Sequence, residues 1–431
     1  FHFQLRLKDG AVRRFDRIIG FANVAGLAAI TDRTGNTVTI TRESPAPGLF
    51  GLITRMTDPA ARSLTLTYDG VGRITSVTDP IGRLVQYAYD SQGRLSTVTD
   101  PAGGVTRYTY DAQHRILTIT APRGITYLTN EYDPTTGRVV RQSQPGGGVW
   151  QFAYTVTGSL VTATRVTDPR GNAVTHRFNS QGFALSTTDA LGQTTTFEYE
   201  QGSNRLRATT DPLGRSTRVE YDALGNVTRL TDPAGRVYAF GYELTFNRVT
   251  SVTDPLGNVR RFEYDARGNL TAAIDALGQR ATIASDGVGR PVSFTNRAGN
   301  TIVLTYDSIG HLVRIADALG STTTRTFDGA SRLLTVTDPR GRTTTHAYDG
   351  LNRVVRSVDS LGGVTQFTFD GNGNLLTVTD ARGNAVAHTY DDMDRLVTRT
   401  DPLGVAERFD YDGVGNPVRT TDRKGQVSTF S

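Results

Sequence analysis

The residues best suited to chemistry in this chain are aspartates that recur at a constant distance. A spacing of 21 residues holds through eight successive intervals, with one asparagine in the series: Asp254, Asp275, Asn296, Asp317, Asp338, Asp359, Asp380, Asp401 and Asp422. Repeated carboxylates could bind Ca²⁺, but the EF-hand spacing and the Gly-Gly-x-Gly-x-Asp nonapeptide are both absent. Most of these aspartates precede Pro or Ala, and we interpret them as hydrogen-bond acceptors of turns. We therefore predict no metal and no cofactor.

The other side chains with catalytic potential do not form a recognisable set. The six histidines are scattered along the sequence, and His346 and His388 stand where neighbouring repeats carry an aromatic residue, which indicates packing. No Ser/His/Asp combination, phosphate-binding loop or paired-carboxylate site rises above the repeated turns. The chain has no cysteine, so disulfides and thiolate chemistry are excluded. We predict that this protein is not an enzyme.

The repeated aspartates belong to a unit of about 21 residues that contains two turns. The first turn has the pattern Tyr-Asp-x-x-Gly-Asn/Arg, as in residues 264–269, and the second has the pattern Thr-Asp-Pro-x-Gly, as in residues 253–257. Between them lie runs of five or six residues rich in β-branched and aromatic side chains, such as residues 105–110. This pattern predicts an all-β protein, a long antiparallel meander of hairpins, with essentially no helix.

The second turns have the residues that a tight turn requires. The aspartate can accept a hydrogen bond from the backbone two residues later, proline fixes φ at the next position, and glycine adopts a positive φ. The residues that we single out as structural turn positions are Asp79, Pro80, Gly82, Asp100, Pro101, Gly103, Asp254, Pro255, Gly257, Asp338, Pro339 and Gly341.

Aromatic residues two apart precede many of the first turns, as in Tyr87/Tyr89 and Phe262/Tyr264. Because alternate residues of a strand share one face, stacked units would place these rings in a ladder on one face of the sheet. We interpret the ladder as cross-strand packing rather than a ligand platform. Its members include Tyr89, Tyr110, Tyr221, Tyr264, Tyr306, Tyr348, Tyr390 and Tyr411.

Charge and hydropathy narrow the classes of partner. The net charge is +5, but arginines are distributed beside aspartates without a basic block, so we predict no nucleic-acid binding. No apolar run reaches the roughly 18 to 20 residues of a membrane helix, and the strands are shorter than the roughly 9 to 11 residues of a membrane strand. The sequence begins without methionine or a signal segment, and we expect it to be an internal or processed piece.

Repeat arrays need not divide into domains, so we predict one continuous array. Residues 1–50 form an entry segment, and residues 51–431 carry the array, with an irregular stretch at 121–168 that contains the only tryptophan, Trp150. This stretch is either a lengthened hairpin or corner of the sheet, or a contact for a partner or cargo.

The length of the array implies that the sheet must curl. Two strands per unit advance a sheet by about 10 Å, so the array would span roughly 160 Å. Open twisted sheets rarely exceed about ten strands. Closed in one turn, this strip would surround a space roughly 50 Å across, which is enough for a domain with a radius of gyration of about 13 to 15 Å.

The paired turns at 21-residue spacing resemble the YD repeats of the Rhs family, which includes shell components of insecticidal Tc toxins and the teneurins. The resemblance implies a β-strip that spirals into a hollow shell, or cocoon, and in bacterial members encloses a C-terminal toxic effector for delivery. The family's core-terminal Asp-Pro-x-Gly-Leu motif has no match, since Asp401-Pro402-Leu403-Gly404 precedes Val405 and another repeat. We expect cleavage and toxicity to lie outside this chain.

Two functions remain open. In the first, the chain is a non-catalytic wall segment of a toxin shell, and its partners are the enclosed effector, the remaining shell of the same polypeptide and a secretion machinery. In the second, it is an extracellular adhesion or filament protein that associates with itself. Either function predicts a secreted or cell-surface location.

Overall fold

The computed structural model describes residues 2–18, 20–21 and 23–430, and its regular structure there is almost entirely β-strand. Residues 1, 19 and 22 of the predicted entry segment, and residue 431 of the predicted array, lie outside the described residues. The strands of the described part pair antiparallel with their neighbours in the sequence, and all belong to one 40-stranded sheet. The predicted all-β meander is therefore confirmed. A single turn of 3₁₀-helix lies at Pro145–Gly147.

The strands, in chain order, are His2–Arg6, Val12–Arg17, Ala25–Thr31, Thr37–Glu43, Leu52–Thr57, Ser63–Tyr68, Ile74–Thr78, Leu84–Tyr89, Leu95–Thr99, Val105–Tyr110, Ile116–Thr120, Thr126–Tyr132, Val139–Ser143, Val149–Thr157, Leu160–Thr167, Ala173–Phe178, Ala184–Thr188, Thr194–Tyr199, Leu206–Thr210, Ser216–Tyr221, Val227–Thr231, Val237–Tyr242, Val249–Thr253, Val259–Tyr264, Leu270–Ile274, Arg280–Ser285, Pro291–Thr295, Thr301–Tyr306, Leu312–Ala316, Thr322–Phe327, Leu333–Thr337, Thr343–Tyr348, Val354–Val358, Val364–Phe369, Leu375–Thr379, Ala385–Tyr390, Leu396–Thr400, Ala406–Tyr411, Pro417–Thr421 and Val427–Thr429.

The two hairpins of a unit differ in register. Across the second turn, Thr253 lies opposite Val259, and the pairing continues without a shift. Across the first turn the pairing slips by one residue, since Glu263 lies opposite Ala272 but Tyr264 lies opposite Leu270. The same slip recurs before the tyrosines of other units. An extra residue on one strand bends it and increases the local twist, so a bulge at each first turn curls the sheet in regular steps.

Few side chains are fully buried, because the residues of each strand alternate between half-buried and exposed positions. The buried hydrophobic residues of the described chain are alanines together with Leu66, and the most buried is Ala272. The described residues expose 24987 Å², whereas a compact monomer of 46.7 kDa would expose about 16,000 Å². This large exposed area is typical of a sheet that has no second layer packed over most of its surface.

The chain divides into two compact units, each built from an earlier and a later segment of the sequence. One unit consists of Phe1–Gln86 and Thr217–Thr345, and the other of Tyr87–Ser216 and His346–Ser431. We call these two parts of one unit its earlier segment and its later segment.

Within each unit, second turns of the earlier segment contact first turns of the later segment. In the first unit, the Arg62 guanidinium donates a hydrogen bond to the Ser331 hydroxyl. In the second unit, the Arg123 amide donates to the Asn372 side chain over 3.0 Å, and the Arg123 guanidinium lies 2.7 Å from the Asp394 carboxylate. The side-chain hydrogen bonds between segments join residues 218 to 271 positions apart. The second turns form one edge of the ribbon of paired strands, and the first turns form the other edge. These contacts therefore join the second-turn edge of the earlier segment to the first-turn edge of the later segment.

The irregular stretch contains the two longest strands of the described chain, Val149–Thr157 and Leu160–Thr167. The indole nitrogen of Trp150 donates to the Gln144 side chain over 3.2 Å, across the turn that precedes it. The tryptophan is thus hydrogen-bonded locally, as expected for a lengthened hairpin.

Candidate functional site

The second turns use both oxygens of their aspartate carboxylate. In the turn at Asp254, one oxygen accepts hydrogen bonds of 2.9 Å from the amides of Leu256 and Asn258, and the other accepts the Asn258 side chain over 2.9 Å. Gly257 has a φ of 83°, as such a turn requires. With its lone pairs engaged by N–H donors, this carboxylate has little capacity left for a cation.

The other predicted second turns have the same geometry. The carboxylates of Asp79, Asp100 and Asp338 accept hydrogen bonds of 2.8–3.1 Å from the amides two and four residues later. Prolines occupy the next position, and the third residue after each aspartate is a glycine with positive φ: Pro80 and Gly82, Pro101 and Gly103, Pro255 and Gly257, and Pro339 and Gly341.

The turn hydrogen bonds also favour the ionised aspartate. The Asn258 side-chain amide is the main cause that lowers the pKa of Asp254, and the Arg342 guanidinium is the main cause that lowers the pKa of Asp338. Ionised carboxylates are acceptors only, which is the form that a turn needs. No group of three or more His, Asp or Glu side chains in the described chain is arranged to hold a metal ion.

The glycine position of a turn tolerates other residues in the same conformation. Asn352, Ser331, Asp394 and His114 stand at this position of first turns and have φ values of 60–66°, and Ala61 does so in a second turn with φ 62°. Short polar side chains are the residues that reach this region most easily after glycine. The turn geometry is therefore imposed by the aspartate hydrogen bonds as well as by glycine.

The first turns add an arginine that reaches the next unit. Arg94 bonds the Asp90 carboxylate over 2.8 Å, its guanidinium lies 4.8 Å from the centre of the Tyr110 ring, and it donates to the carbonyl of Asp111 over 3.1 Å. We call this set of contacts, from the arginine of one first turn to the aromatic ring and the turn of the next unit, the Arg–Tyr clasp. The ring contact recurs at Arg115/Tyr132, Arg290/Tyr306, Arg353/Phe369 and Arg395/Tyr411.

His311 takes the place of the arginine in one first turn. Its ring bonds the Asp307 carboxylate over 2.9 Å and the Ser331 hydroxyl over 2.7 Å. The ring also stacks on Phe327, with 4.6 Å between the centroids. This histidine therefore has the same three kinds of contact as an arginine of the Arg–Tyr clasp, which gives it a structural role.

The tyrosines of the predicted ladder carry a hydrogen bond that the sequence did not indicate. The hydroxyl of Tyr264 donates to the carbonyl of Val249 over 2.7 Å. Val249 begins the preceding strand, and the ladder between the two strands ends at the pair Ser251 and Arg261. The hydroxyl thus satisfies a carbonyl that lies beyond the end of the ladder.

This bond repeats along the array with a constant separation of 15 residues and lengths of 2.6–3.0 Å. It is formed by Tyr68, Tyr110, Tyr154, Tyr199, Tyr242, Tyr264, Tyr306, Tyr390 and Tyr411. The remaining predicted members, Tyr89, Tyr221 and Tyr348, end their strands at the equivalent position. The structure therefore places all eight predicted tyrosines at strand ends next to first turns.

The two histidines in the aromatic positions lie inside strands. His346 and His388 each have a buried Nδ1 atom without a hydrogen-bond partner. Burial, followed by the nearby Arg399, lowers the pKa of His388, which favours its neutral form. A ring that is buried, neutral and unpartnered at Nδ1, as at His388, behaves mainly as a packing residue.

Grooves lie between successive second turns, on the face that carries the aromatic rings. One groove of about 410 Å³ is lined by residues that include Asp254, Asp275 and Leu277. Similar grooves of about 420 and 470 Å³ lie between Asn296 and Asp317 and between Asp58 and Asp79. No helix in the described part of the chain is long and apolar enough to cross a membrane.

Comparisons with known proteins agree with the repeat and the fold. A family model described as RHS Repeat matches residues 50–83, 68–105, 89–126, 202–237, 245–280, 306–343, 327–365, 348–385 and 369–406, which together are more than half of the chain. None of the curated proteins searched matches significantly.

Solved structures with the same fold are described as TcdB2-TccC3. One has a TM-score of 0.67 and 14% identity and matches 92% of this chain and 28% of its own. Another, TcdB2-TccC3 without its hypervariable C-terminal region, has a TM-score of 0.51 and 13% identity and matches 96% of this chain and 26% of its own. The present chain thus spans between a quarter and a third of the length of these structures.

Proposed function

Because the chain belongs to the RHS repeat family, we propose that it is a non-catalytic wall segment of a hollow β-sheet shell that encloses a toxic effector domain for delivery. Its partners are then the enclosed effector and the remaining shell of the same polypeptide. Delivery through a secretion machinery places the protein outside the producing cell or at its surface.

The contact between opposite edges of the ribbon is the observation that supports a wall most directly. In the second unit, Arg123 of the earlier segment is bonded to Asn372 and Asp394 of the later segment, and the Arg170 guanidinium lies 3.3 Å from the Asp412 carboxylate. A ribbon whose edges are joined in this way forms a continuous surface, whereas a ribbon with free edges would leave gaps. A continuous surface is what the exclusion of protease and solvent requires.

The turns give the proposed wall rigidity without a thick core. Each aspartate fixes its turn through two backbone hydrogen bonds, and each Arg–Tyr clasp joins a unit to the next. Since a repeat array is stabilised by contacts between neighbouring units, such joints add up along the chain. The TcdB2-TccC3 structure described without a hypervariable C-terminal region is consistent with a variable domain beside a constant array.

The alternative function is an extracellular adhesion or filament protein. It is favoured by leucines at the tips of second turns, which are among the most exposed large hydrophobic residues of the described chain, such as Leu319 and Leu361. Exposed apolar residues in a regular row indicate a surface for association. A surface protein of this kind would use the same sheet as a stiff element.

Cryo-electron microscopy of the polypeptide as it is naturally produced, with the segments that flank this array, distinguishes the two functions. A closed wall around additional density is the result that we expect. An open ribbon, or an end-to-end polymer that encloses nothing, would contradict the shell and favour the surface protein.

A further inference from the structure

The grooves between second turns are of two kinds: we call a groove occupied where a first turn of the later segment forms part of its wall, and empty where no first turn does. The groove between the turns at Asp58 and Asp79 contains Gly329 and Ala330 in its lining, which belong to a first turn of the later segment. The grooves at Asp254/Asp275 and Asn296/Asp317 are lined only by residues of the second-turn hairpins.

The occupied and empty grooves are built from equivalent positions. Each groove begins at an Asp58, Asp254 or Asn296 turn, and the residues two positions before and six positions after that turn residue form the floor. These floor residues are Met56 and Leu64 in the occupied groove, Val252 and Arg260 in one empty groove, and Phe294 and Ile302 in the other. The occupied groove therefore shows which element can pack beside such a groove, namely the tip of a first turn.

The second unit contains an occupied groove as well. There the turns at Asp100 and Ala121 enclose Gly371 and Asn372, from a first turn of the later segment. Two independent examples in the chain thus place the same kind of turn in the same kind of groove.

A glycine directly after the turn aspartate accompanies this docking. A Cβ atom at Gly329 would lie 3.0 Å from the Ile81 side chain, and one at Gly350 would lie 2.9 Å from the Pro101 carbonyl oxygen. Neither glycine has a positive φ, so it is the lack of a side chain, not backbone freedom, that the contact requires. In the first turns, glycine at this position is therefore typical of a tip that packs against a second turn.

The first turn at Asp69 has this glycine but no groove. Gly70 has an ordinary φ and no atom within 4 Å of a built Cβ, and the neighbouring Val71 is 71% exposed. The chain thus carries a first-turn tip of the docking type with nothing packed on it.

The tips that border the empty grooves are exposed and apolar. Leu256, Leu277 and Leu319 are 84–93% exposed, whereas Ile81, at the equivalent position of the occupied groove, is 38% exposed. These exposed leucines recur at multiples of 21 residues. The first turns that would cover them recur at the same interval.

We propose that the empty groove at Asp254/Asp275 binds the first turn of a second copy of this chain, with Gly70 and Val71 at the contact. The two surfaces are different parts of the chain, so the contact is head-to-tail, and every assembly that does not close into a ring keeps one free groove and one free tip. Copies therefore add in series and lengthen the sheet. The inference goes beyond the proposed wall function, because it concerns assembly between copies and requires no cargo.

Sedimentation velocity of the whole chain over a range of concentrations tests this association. We expect the sedimentation coefficient of the wild-type chain to rise with concentration. Gly70→Gln should abolish the rise, because the larger side chain blocks the tip while its own surroundings leave room for it. Leu277→Asp should also abolish the rise in sedimentation coefficient, because it places a charge in the groove. Leu160→Asp, at an exposed hairpin tip outside both surfaces, is the matched control and should associate like the wild type.

A mixture of the two blocked variants tests whether the contact between copies is head-to-tail. The Gly70→Gln chain keeps its groove and the Leu277→Asp chain keeps its tip, so the mixture should form dimers that grow no further. Circular dichroism and thermal unfolding should be the same for all variants, since both residues are exposed. A wild-type chain that stays monomeric at its highest soluble concentration would overturn the proposal and assign the grooves to a further segment of the same polypeptide. Association that persists in Gly70→Gln, or a mixture that stays monomeric, would overturn it as well.

Discussion

The two rows of turns share one hydrogen-bond scheme but differ in what they contact. In both rows an aspartate carboxylate accepts the amides two and four residues later, as Asp90 does in a first turn and Asp338 in a second. The arginine that follows Asp90 is 21% exposed and reaches the next unit, whereas the arginine that follows Asp338 is 61% exposed. The same local motif is therefore a joint between units in the first row, whereas in the second row it either meets a first turn of the later segment, as at Arg62, or ends in an exposed tip, as at Asp338.

The difference arises from the register of the hairpins. The slip before each first turn brings the strand-end tyrosine over the preceding strand, where its hydroxyl reaches a carbonyl 15 residues earlier. Most second-turn hairpins have no slip, the hairpin at Ala121 being an exception, and most end in proline- or alanine-containing tips. One extra residue per unit therefore decides which edge of the ribbon carries the joints between successive units.

Acid should weaken both rows together, because they share the ionised aspartates. The folded pKa values of Asp254, Asp338 and other turn aspartates are lowered, so their contribution to stability is present above the unfolded value of about 4. It is lost as the pH falls through the folded values. We expect a sharp fall in the denaturation midpoint below about pH 4, measured by circular dichroism in urea.

Asp338→Asn removes the charge of one turn aspartate but keeps a hydrogen-bond acceptor for the turn. Asparagine keeps the acceptor oxygen, as Asn296 does with hydrogen bonds of 2.9 and 3.0 Å to the amides of Ala298 and Asn300. The variant should lose less stability between pH 7 and pH 3 than the wild type. An equal loss would show that this aspartate does not contribute to the acid response.

Tyr264→Ala should have the largest effect among single substitutions. It removes a half-buried ring, its contact with the Arg248 guanidinium at 5.3 Å and its hydrogen bond to Val249, at a cost of roughly 2 to 3 kcal/mol. Leu256→Ala, at an 87% exposed second-turn tip, should change the free energy of unfolding by less than about 0.5 kcal/mol. Tyr264→Phe keeps the ring and should cost about 1 kcal/mol for the lost hydrogen bond. Equal effects of the tyrosine and leucine truncations would remove the distinction between the rows.

Two glycines, one in each row of turns, show how tightly the backbone of each row is packed. Gly257 and Gly268 have similar φ values of 83° and 76°, but a Cβ at Gly257 meets nothing within 4 Å, whereas one at Gly268 lies 2.7 Å from the Phe246 ring. Gly257→Ala should therefore cost only the backbone strain, about 1 kcal/mol. Gly268→Ala adds the steric overlap and should cost about 2 kcal/mol or more. Urea unfolding of both variants measures the difference, and equal midpoints would contradict it.

The sequence was sufficient for the features that are local. Asp-Pro-x-Gly specifies its turn through bonds that span five residues, and period-2 alternation places Phe262 and Tyr264 on one face. The predicted meander follows from these two rules alone. Even the substitutions of glycine by Asn352 or Ser331 leave the turn intact, because the aspartate bonds remain.

The sequence was insufficient for contacts that depend on the curl of the sheet. The Tyr264 hydroxyl bonds a main-chain carbonyl, and every residue has one, so no residue type marks the acceptor. The contacts between segments join residues more than 200 positions apart, and this separation depends on a curvature that accumulates over many units. A signal was nevertheless present, since Gly329 and Gly350 follow their turn aspartates without a need for positive φ.

The smallest predicted effect concerns the arginines of the two rows. Arg94→Ala removes the Asp90 ion pair, the contact with the Tyr110 ring and the bond to the Asp111 carbonyl, and should cost about 1 kcal/mol. Arg342→Ala removes an exposed ion pair with Asp338 and should cost about 0.3 kcal/mol, because solvent screens such pairs.

A double-mutant cycle of Arg94→Ala with Tyr110→Leu assigns the difference to the Arg–Tyr clasp. The coupling energy from urea unfolding should be about 0.5 to 1 kcal/mol, since the two side chains are in direct contact. A coupling near zero would mean that the arginine stabilises only its own turn. The two rows would then differ in exposure and not in the way that they connect one unit to the next.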